Sequence, residues 1–95
     1  MPVHIECDEK ALQWFRSELG VGQGDAIRFF VKYGGDGAVH PGFSLGISVE
    51  PPKNVAAQAD LGGIKLFIRD EDAWYFDNRD LTITAVADEV EYLVG

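Results

Sequence analysis

Cysteine is almost missing from this chain: Cys7 is the one thiol in 95 residues. A single Cys excludes an intrachain disulfide framework and any multi-cysteine zinc site. A lone free thiol is ordinary in a reducing cytoplasm. Positive charge is also scarce, with 8 Lys and Arg against 16 Asp and Glu and a formal net charge of −8. The cations are scattered from Lys10 to Arg79. No basic stripe therefore offsets a charge that repels phosphate backbones and anionic membranes, and neither nucleic acid nor membrane is expected as a partner. No apolar run approaches the roughly 20 residues of a membrane span. Met1–Glu6 has neither the charged nor the hydrophobic region of a signal peptide. The expectation is one acidic, soluble, cytoplasmic domain over residues 1–95.

What is present suffices for a core. Apolar residues are 46% and charged residues 25% of the chain, the ordinary globular range rather than that of a disordered segment. Val3 to Ile5 reads as a short edge strand, with Pro2 at its start where a missing N–H does least harm. Asp8 suits an N-cap, because its carboxylate can accept from the orphan N–H groups of the next turn. Ala11, Leu12, Phe15 and Leu19 then recur at helical spacing, Trp14 widens the stripe, and Gly20 supplies the stop. The spacing predicts an amphipathic helix from Glu9 to Leu19.

After Gly20 the period changes to two. Ile27, Phe29, Val31 and Tyr33 alternate with Arg28, Phe30 and Lys32. Phe43, Leu45, Ile47 and Val49 alternate with Ser44, Gly46 and Ser48, until Pro51-Pro52 ends the strand. Val55 to Leu61 alternates more weakly, and Gly62-Gly63 turns the chain into Ile64–Arg69. Asp70 is placed to cap a short helical turn through Trp74-Tyr75-Phe76, and Asp77-Asn78-Arg79-Asp80 reads as a loop. Leu81–Val86 and Val90–Val94 are the final strands. Five or six strands with tight turns and one N-terminal helix make a mainly β domain. Connections this short predict mostly antiparallel pairing.

Two places invite a functional reading. Between the first two long strands lies a glycine-dense tip, Gly34-Gly35-Asp36-Gly37, followed by His40-Pro41-Gly42. Such a tip permits positive φ and close backbone approach to a ligand or partner. Gly34, Gly35, Asp36, Gly37 and His40 are thus the candidate binding surface, and Asp36 and His40 the candidate metal ligands. The second place is Trp74-Tyr75-Phe76, since three consecutive rings cannot all be buried on one face of a helix or strand. They are the candidate interface residues, with a protein partner or a homodimer in view; rings capping and wrapping the core would account for them equally well.

Other patterns carry less. Gly20-x-Gly22-x-Gly24 follows a helix and precedes a strand, the reverse of a dinucleotide fingerprint, and no P-loop follows Gly37. Asp70-Glu71-Asp72 lacks the alternation of a calcium loop, because Trp74 takes the third ligand position. Cys7 before a helix gains thiolate character from the dipole, opposed by Asp8 and Glu9. The histidines His4 and His40 stand at no spacing that marks a nucleophile–base set, so no catalytic residue and no enzyme activity is expected.

The order of these elements resembles the HesB-like, A-type iron–sulfur carrier family, in particular a short cysteine-poor branch. The resemblance rests on Asp8-Glu9-Lys10-Ala11-Leu12-Gln13-Trp14-Phe15, Arg28–Gly35, Gly42-Phe43-Ser44-Leu45-Gly46 and Gly63–Ile68 leading to Trp74-Tyr75-Phe76-Asp77. It implies a pseudobarrel of two meandering subsheets with one helix beside it. Carriers of that family use three cysteines; Asp36 stands where the first would be, and residues 88–95 hold none. Clusters require soft thiolates. The resemblance therefore implies an accessory or binding module related to iron–sulfur cluster biosynthesis, with no cofactor of its own. The alternative is transient iron binding through Asp36 and His40, or a cluster held through non-cysteine or intersubunit ligands.

Overall fold

The computed structural model describes residues 3–34, 40 and 42–95. In chain order the elements are β1 (Ile5–Cys7), α1 (Glu9–Leu19), β2 (Ala26–Tyr33), β3 (Phe43–Val49), β4 (Val55–Leu61), β5 (Ile64–Arg69), a 3₁₀ helix (Asp70–Phe76), β6 (Leu81–Val86) and β7 (Glu89–Val94). The domain is mainly β. The expected pseudobarrel is corrected to two separate sheets among the described residues: a four-stranded one ordered β3-β2-β5-β4 and a three-stranded one ordered β1-β6-β7. The outermost strand of each keeps an unpaired edge, so neither sheet closes on itself.

Sequential neighbours pair antiparallel, as short turns require: β2 with β3, β4 with β5, and β6 with β7. Both sheets are nevertheless mixed, because β2 pairs parallel to β5 and β1 parallel to β6. Turn length constrains only strands adjacent in sequence, and these two pairs are not adjacent. The first strand also begins later than the Val3–Ile5 expectation. His4 is taken up by the loop before β6: its N–H donates to Asp80 Oδ1 (3.2 Å) and its carbonyl accepts from Leu81 N (2.8 Å). The ladder then runs from Ile5 opposite Leu81 to Cys7 opposite Ile83.

The helix forms where its pattern predicts. Asp8 Oδ1 accepts from Ala11 N at 2.7 Å, and Gly20 ends the helix in the left-handed region at φ 66°. Ala11, Leu12 and Phe15 face inward. The Phe15 ring meets Phe29 of β2 edge-on at 6.0 Å. Around that pair one core joins both sheets: Ile27, Leu66 and Ile68 from the larger, Leu81 and Ile83 from the smaller, and Phe76 from the 3₁₀ helix. Each fully buried side chain of this kind stabilises the fold by about 1.5–3 kcal/mol. Among the described residues no helix is long and apolar enough to cross a membrane.

Candidate interaction surface

The β2–β3 hairpin narrows to a neck at Tyr33 opposite Phe43. Gly34 N donates to Gly42 O at 2.8 Å, and Ser44 Oγ donates to Gly34 O at 2.9 Å. Gly34 (φ +91°) and Gly42 (φ +83°) both occupy backbone geometry that favours glycine, so the neck explains two of the tip glycines without a ligand. Gly35, Asp36 and Gly37, expected at the binding tip, lie outside the described residues.

His40 is placed against the 3₁₀ helix. Its ring sits 5.3 Å from Trp74 and 5.3 Å from Tyr75, centroid to centroid. Its Nε2 is 3.3 Å from Asp77 Oδ2, a distance that makes an ion pair when the imidazole is protonated. The angles are not those of a hydrogen bond, and this buried nitrogen has no hydrogen-bond partner. Trp74 also meets Phe43 edge-on at 5.4 Å, and Phe43 lies 5.0 Å from Tyr33. Four side chains from two distant segments, Tyr33, Phe43, Trp74 and His40, thus form one aromatic ridge.

The three consecutive rings divide as 3₁₀ geometry dictates. Phe76 and Tyr75 are buried, whereas Trp74 is 49% exposed. Burial pushes the Tyr75 hydroxyl pKa above its ordinary value. At the far end of the ridge Tyr33 is 89% exposed. Large exposed rings on one ridge are what protein interfaces are enriched in.

A buried ion-pair network fixes the 3₁₀ helix under this ridge. Asp72, only 5% exposed, accepts from Arg28 Nη2 at 2.9 Å and from Val31 N at 3.2 Å. Glu50 and Glu71 approach Arg28 at 3.6 and 3.7 Å, and Arg69 reaches Glu71 at 3.1 Å. Burial alone disfavours the Arg28 charge; the hydrogen bond and charge of Asp72, with Glu50 and Glu71, outweigh it and hold the guanidinium above its ordinary pKa. Asp70 is not the helix cap expected of it. The residue before the 3₁₀ helix is Arg69, no side chain caps the first turn, and Asp70 N donates instead to Asn54 O at 2.8 Å.

Cys7 is half-buried, and its thiol is pushed up to about 11 by burial first and then by the charges of Asp8 and Glu9. Those effects outweigh the helix dipole, so this sulfur is a poor nucleophile at neutral pH. Among the described residues no three His, Cys, Asp or Glu side chains group as metal ligands would. A concavity of about 640 Å³ lies between α1 and the β6–β7 turn, lined by Lys10, Gln13, Trp14, Ser17 and Asp88 among others. Trp14 Nε1 donates to Asp88 O there at 2.7 Å.

Comparison with known proteins supplies the context for this surface. The chain is 42% identical over 89 residues to a Bacillus subtilis protein named pyruvate dehydrogenase inhibitor, the match covering 94% of each. It belongs to the family of that protein. It is also 34% identical over 95 residues to an uncharacterized protein of Staphylococcus saprophyticus, covering 95% of this chain and 97% of the other. An uncharacterized Staphylococcus aureus protein is 30% identical with the same coverage. No family model and no solved structure matches the chain.

These findings correct the assignment to HesB-like iron–sulfur carriers. The Bacillus subtilis relative, matched over 94% of each chain, is named for inhibition of pyruvate dehydrogenase and not for iron–sulfur chemistry. The functions implied by that resemblance, an accessory module of cluster biosynthesis and transient iron binding, fall with it; of the candidate ligands, His40 packs on Trp74 and Tyr75, and Asp36 lies outside the described residues. Motif order in a small β domain, alternating strands with a glycine-rich hairpin, is too general to carry a cluster chemistry whose thiolates are missing.

Proposed function

We propose that this chain is a protein-binding inhibitor of pyruvate dehydrogenase, acting as its Bacillus subtilis relative is named. On this reading it is not an enzyme and needs no cofactor; it acts by occupying a surface of its target. The observation that carries the proposal is the aromatic ridge. Tyr33 and Trp74 present large ring faces to solvent beside Phe43 and His40, on a base locked by the Arg28–Asp72 pair. Rigid aromatic anchors lose little entropy on docking and are the side chains that most often dominate binding energy.

The test is direct. Pyruvate dehydrogenase activity of the Bacillus subtilis complex is measured with increasing amounts of the chain, and binding is followed by calorimetry. Saturable inhibition by the native chain, lost by a factor of about 30 or more in Trp74→Ala with unchanged thermal unfolding, is the expected result. Undiminished pyruvate dehydrogenase activity at saturating chain would refute the proposal.

A further inference from the structure

The charge around the ridge says what kind of surface it fits. Asp77, at the end of the 3₁₀ helix, is half exposed and has only the His40 imidazole as a described counter-charge. Asp70 and Glu71 are exposed at the start of the same helix. The arginines nearest these carboxylates are already committed: Arg28 and Arg69 are held among Glu50, Glu71 and Asp72. Lys32 leaves its strand on the face opposite Tyr33, and Arg79 forms no ion pair with Asp77. The chain as a whole carries 16 acids against 8 bases.

An exposed indole face close to a half-exposed carboxylate, the two joined through His40, forms a receptor for a cation. The ring quadrupole attracts positive charge to its face, and a flanking carboxylate supplies the ion-pair partner. An anionic partner would be repelled by the same groups. We infer that the docking partner seats an arginine or lysine side chain against Trp74, paired with Asp77, both of which flank His40. This rests on the reading of the ridge as the docking surface, and it adds the chemistry of the partner's anchor.

The experiment uses the full chain and the Bacillus subtilis pyruvate dehydrogenase complex, with dissociation constants taken at 50 and 300 mM NaCl. Asp77→Asn removes the charge and keeps a residue that tolerates the left-handed φ of 49° found there. Asp60→Asn removes the same charge near the other edge of the larger sheet, where Asp60 pairs with Lys65. Trp74→Phe keeps a ring face; Trp74→Leu keeps apolar bulk alone. The expected outcome is about a tenfold loss of affinity for Asp77→Asn and a similar loss on raising salt, with Asp60→Asn unchanged. Trp74→Phe should retain most of the affinity that Trp74→Leu loses.

If Trp74→Leu and Trp74→Phe behave alike, and neither salt nor Asp77→Asn matters, the cationic anchor is wrong while the ridge remains the docking surface. Tighter binding by Asp77→Asn would show an anionic partner and overturn the inference outright. If no Trp74 variant changes affinity, the ridge is not the docking surface, and both readings fall together.

Discussion

Asp72 completes a strand ladder for Val31: its Oδ1 lies 3.2 Å from the Val31 N–H. The β2–β5 register ends at Arg28 opposite Phe67, so beyond it the backbone of β2 has no strand on that side. Asp72 stands in that gap and also binds the Arg28 guanidinium. One carboxylate thereby satisfies a main-chain donor and a buried charge.

Replacing Asp72 should therefore be costly. Asp72→Ala leaves Arg28 buried with one partner fewer and Val31 N–H unsatisfied, and is expected to destabilise the fold by about 3–5 kcal/mol. Asp72→Asn, which retains an acceptor, should cost less. Urea unfolding of both variants checks the order, and equal stabilities would show that the network contributes little.

Gly46 makes room for Phe30, its partner across the β2–β3 ladder. A methyl group at Gly46 would stand 2.6 Å from Cζ of the Phe30 ring. Arg28 lies over the same ring, 5.4 Å from its centre. Gly46→Ala is expected to cost about 1–3 kcal/mol by displacing the ring. Adding Phe30→Leu should return part of that loss, which a double-mutant cycle on thermal unfolding would measure.

Alkaline conditions should weaken the fold before neutral ones do. The Cys7 thiol rises from 9.0 to about 11 and the Tyr92 hydroxyl from 10.0 to about 12, each chiefly through burial. Both groups are neutral when protonated, so the unfolded chain loses these protons first. Their contribution is intact below pH 9 and is lost progressively between pH 9 and 12. Unfolding followed across that range should show falling stability. Alkylation of Cys7 by iodoacetamide at pH 8 should be slow in the native chain and fast in urea.

Asp8 joins two elements as well as starting one. Beyond Ala11, its second carboxylate oxygen lies 3.4 Å from Ala85 N in β6. Asp8→Ala should cost about 1–2 kcal/mol, and Asp8→Ser, which restores the cap but not the reach to β6, should recover only part. Hydrogen exchange at the Ala11 and Ala85 amides would separate the two losses.

Local signals were legible in the sequence and distant ones were not. Asp8, the apolar spacing from Ala11 to Leu19, and Gly20 mark the helix because capping and periodicity are local. The alternation from Ile27 to Val49 marks two strands for the same reason. Arg28 looks like an ordinary outward residue on that alternation; its partner Asp72 is 44 positions away, inside a run that reads as solvated acid. The ridge escaped for the same cause. The sequence marks Trp74 and His40 separately, and only the hairpin neck and the fixed 3₁₀ helix bring their rings to 5.3 Å. The family resemblance failed where it had least chemistry behind it, at a cluster site without sulfur.

The pairing of β1 with β6 ties the two flanks of the chain together. His4 and Asp80 are 76 positions apart, yet they touch at the mouth of the smaller sheet. The four-stranded sheet needs only residues 26–69. The three-stranded sheet joins segments from both flanks of it, so closing that long loop is expected to follow formation of the larger sheet, and stopped-flow refolding of Asp80→Ala would test the order. An intermediate with β1 and β6 apart would leave Phe15 and Phe29 without the cover of Leu81 and Ile83, the kind of exposed apolar surface that aggregates.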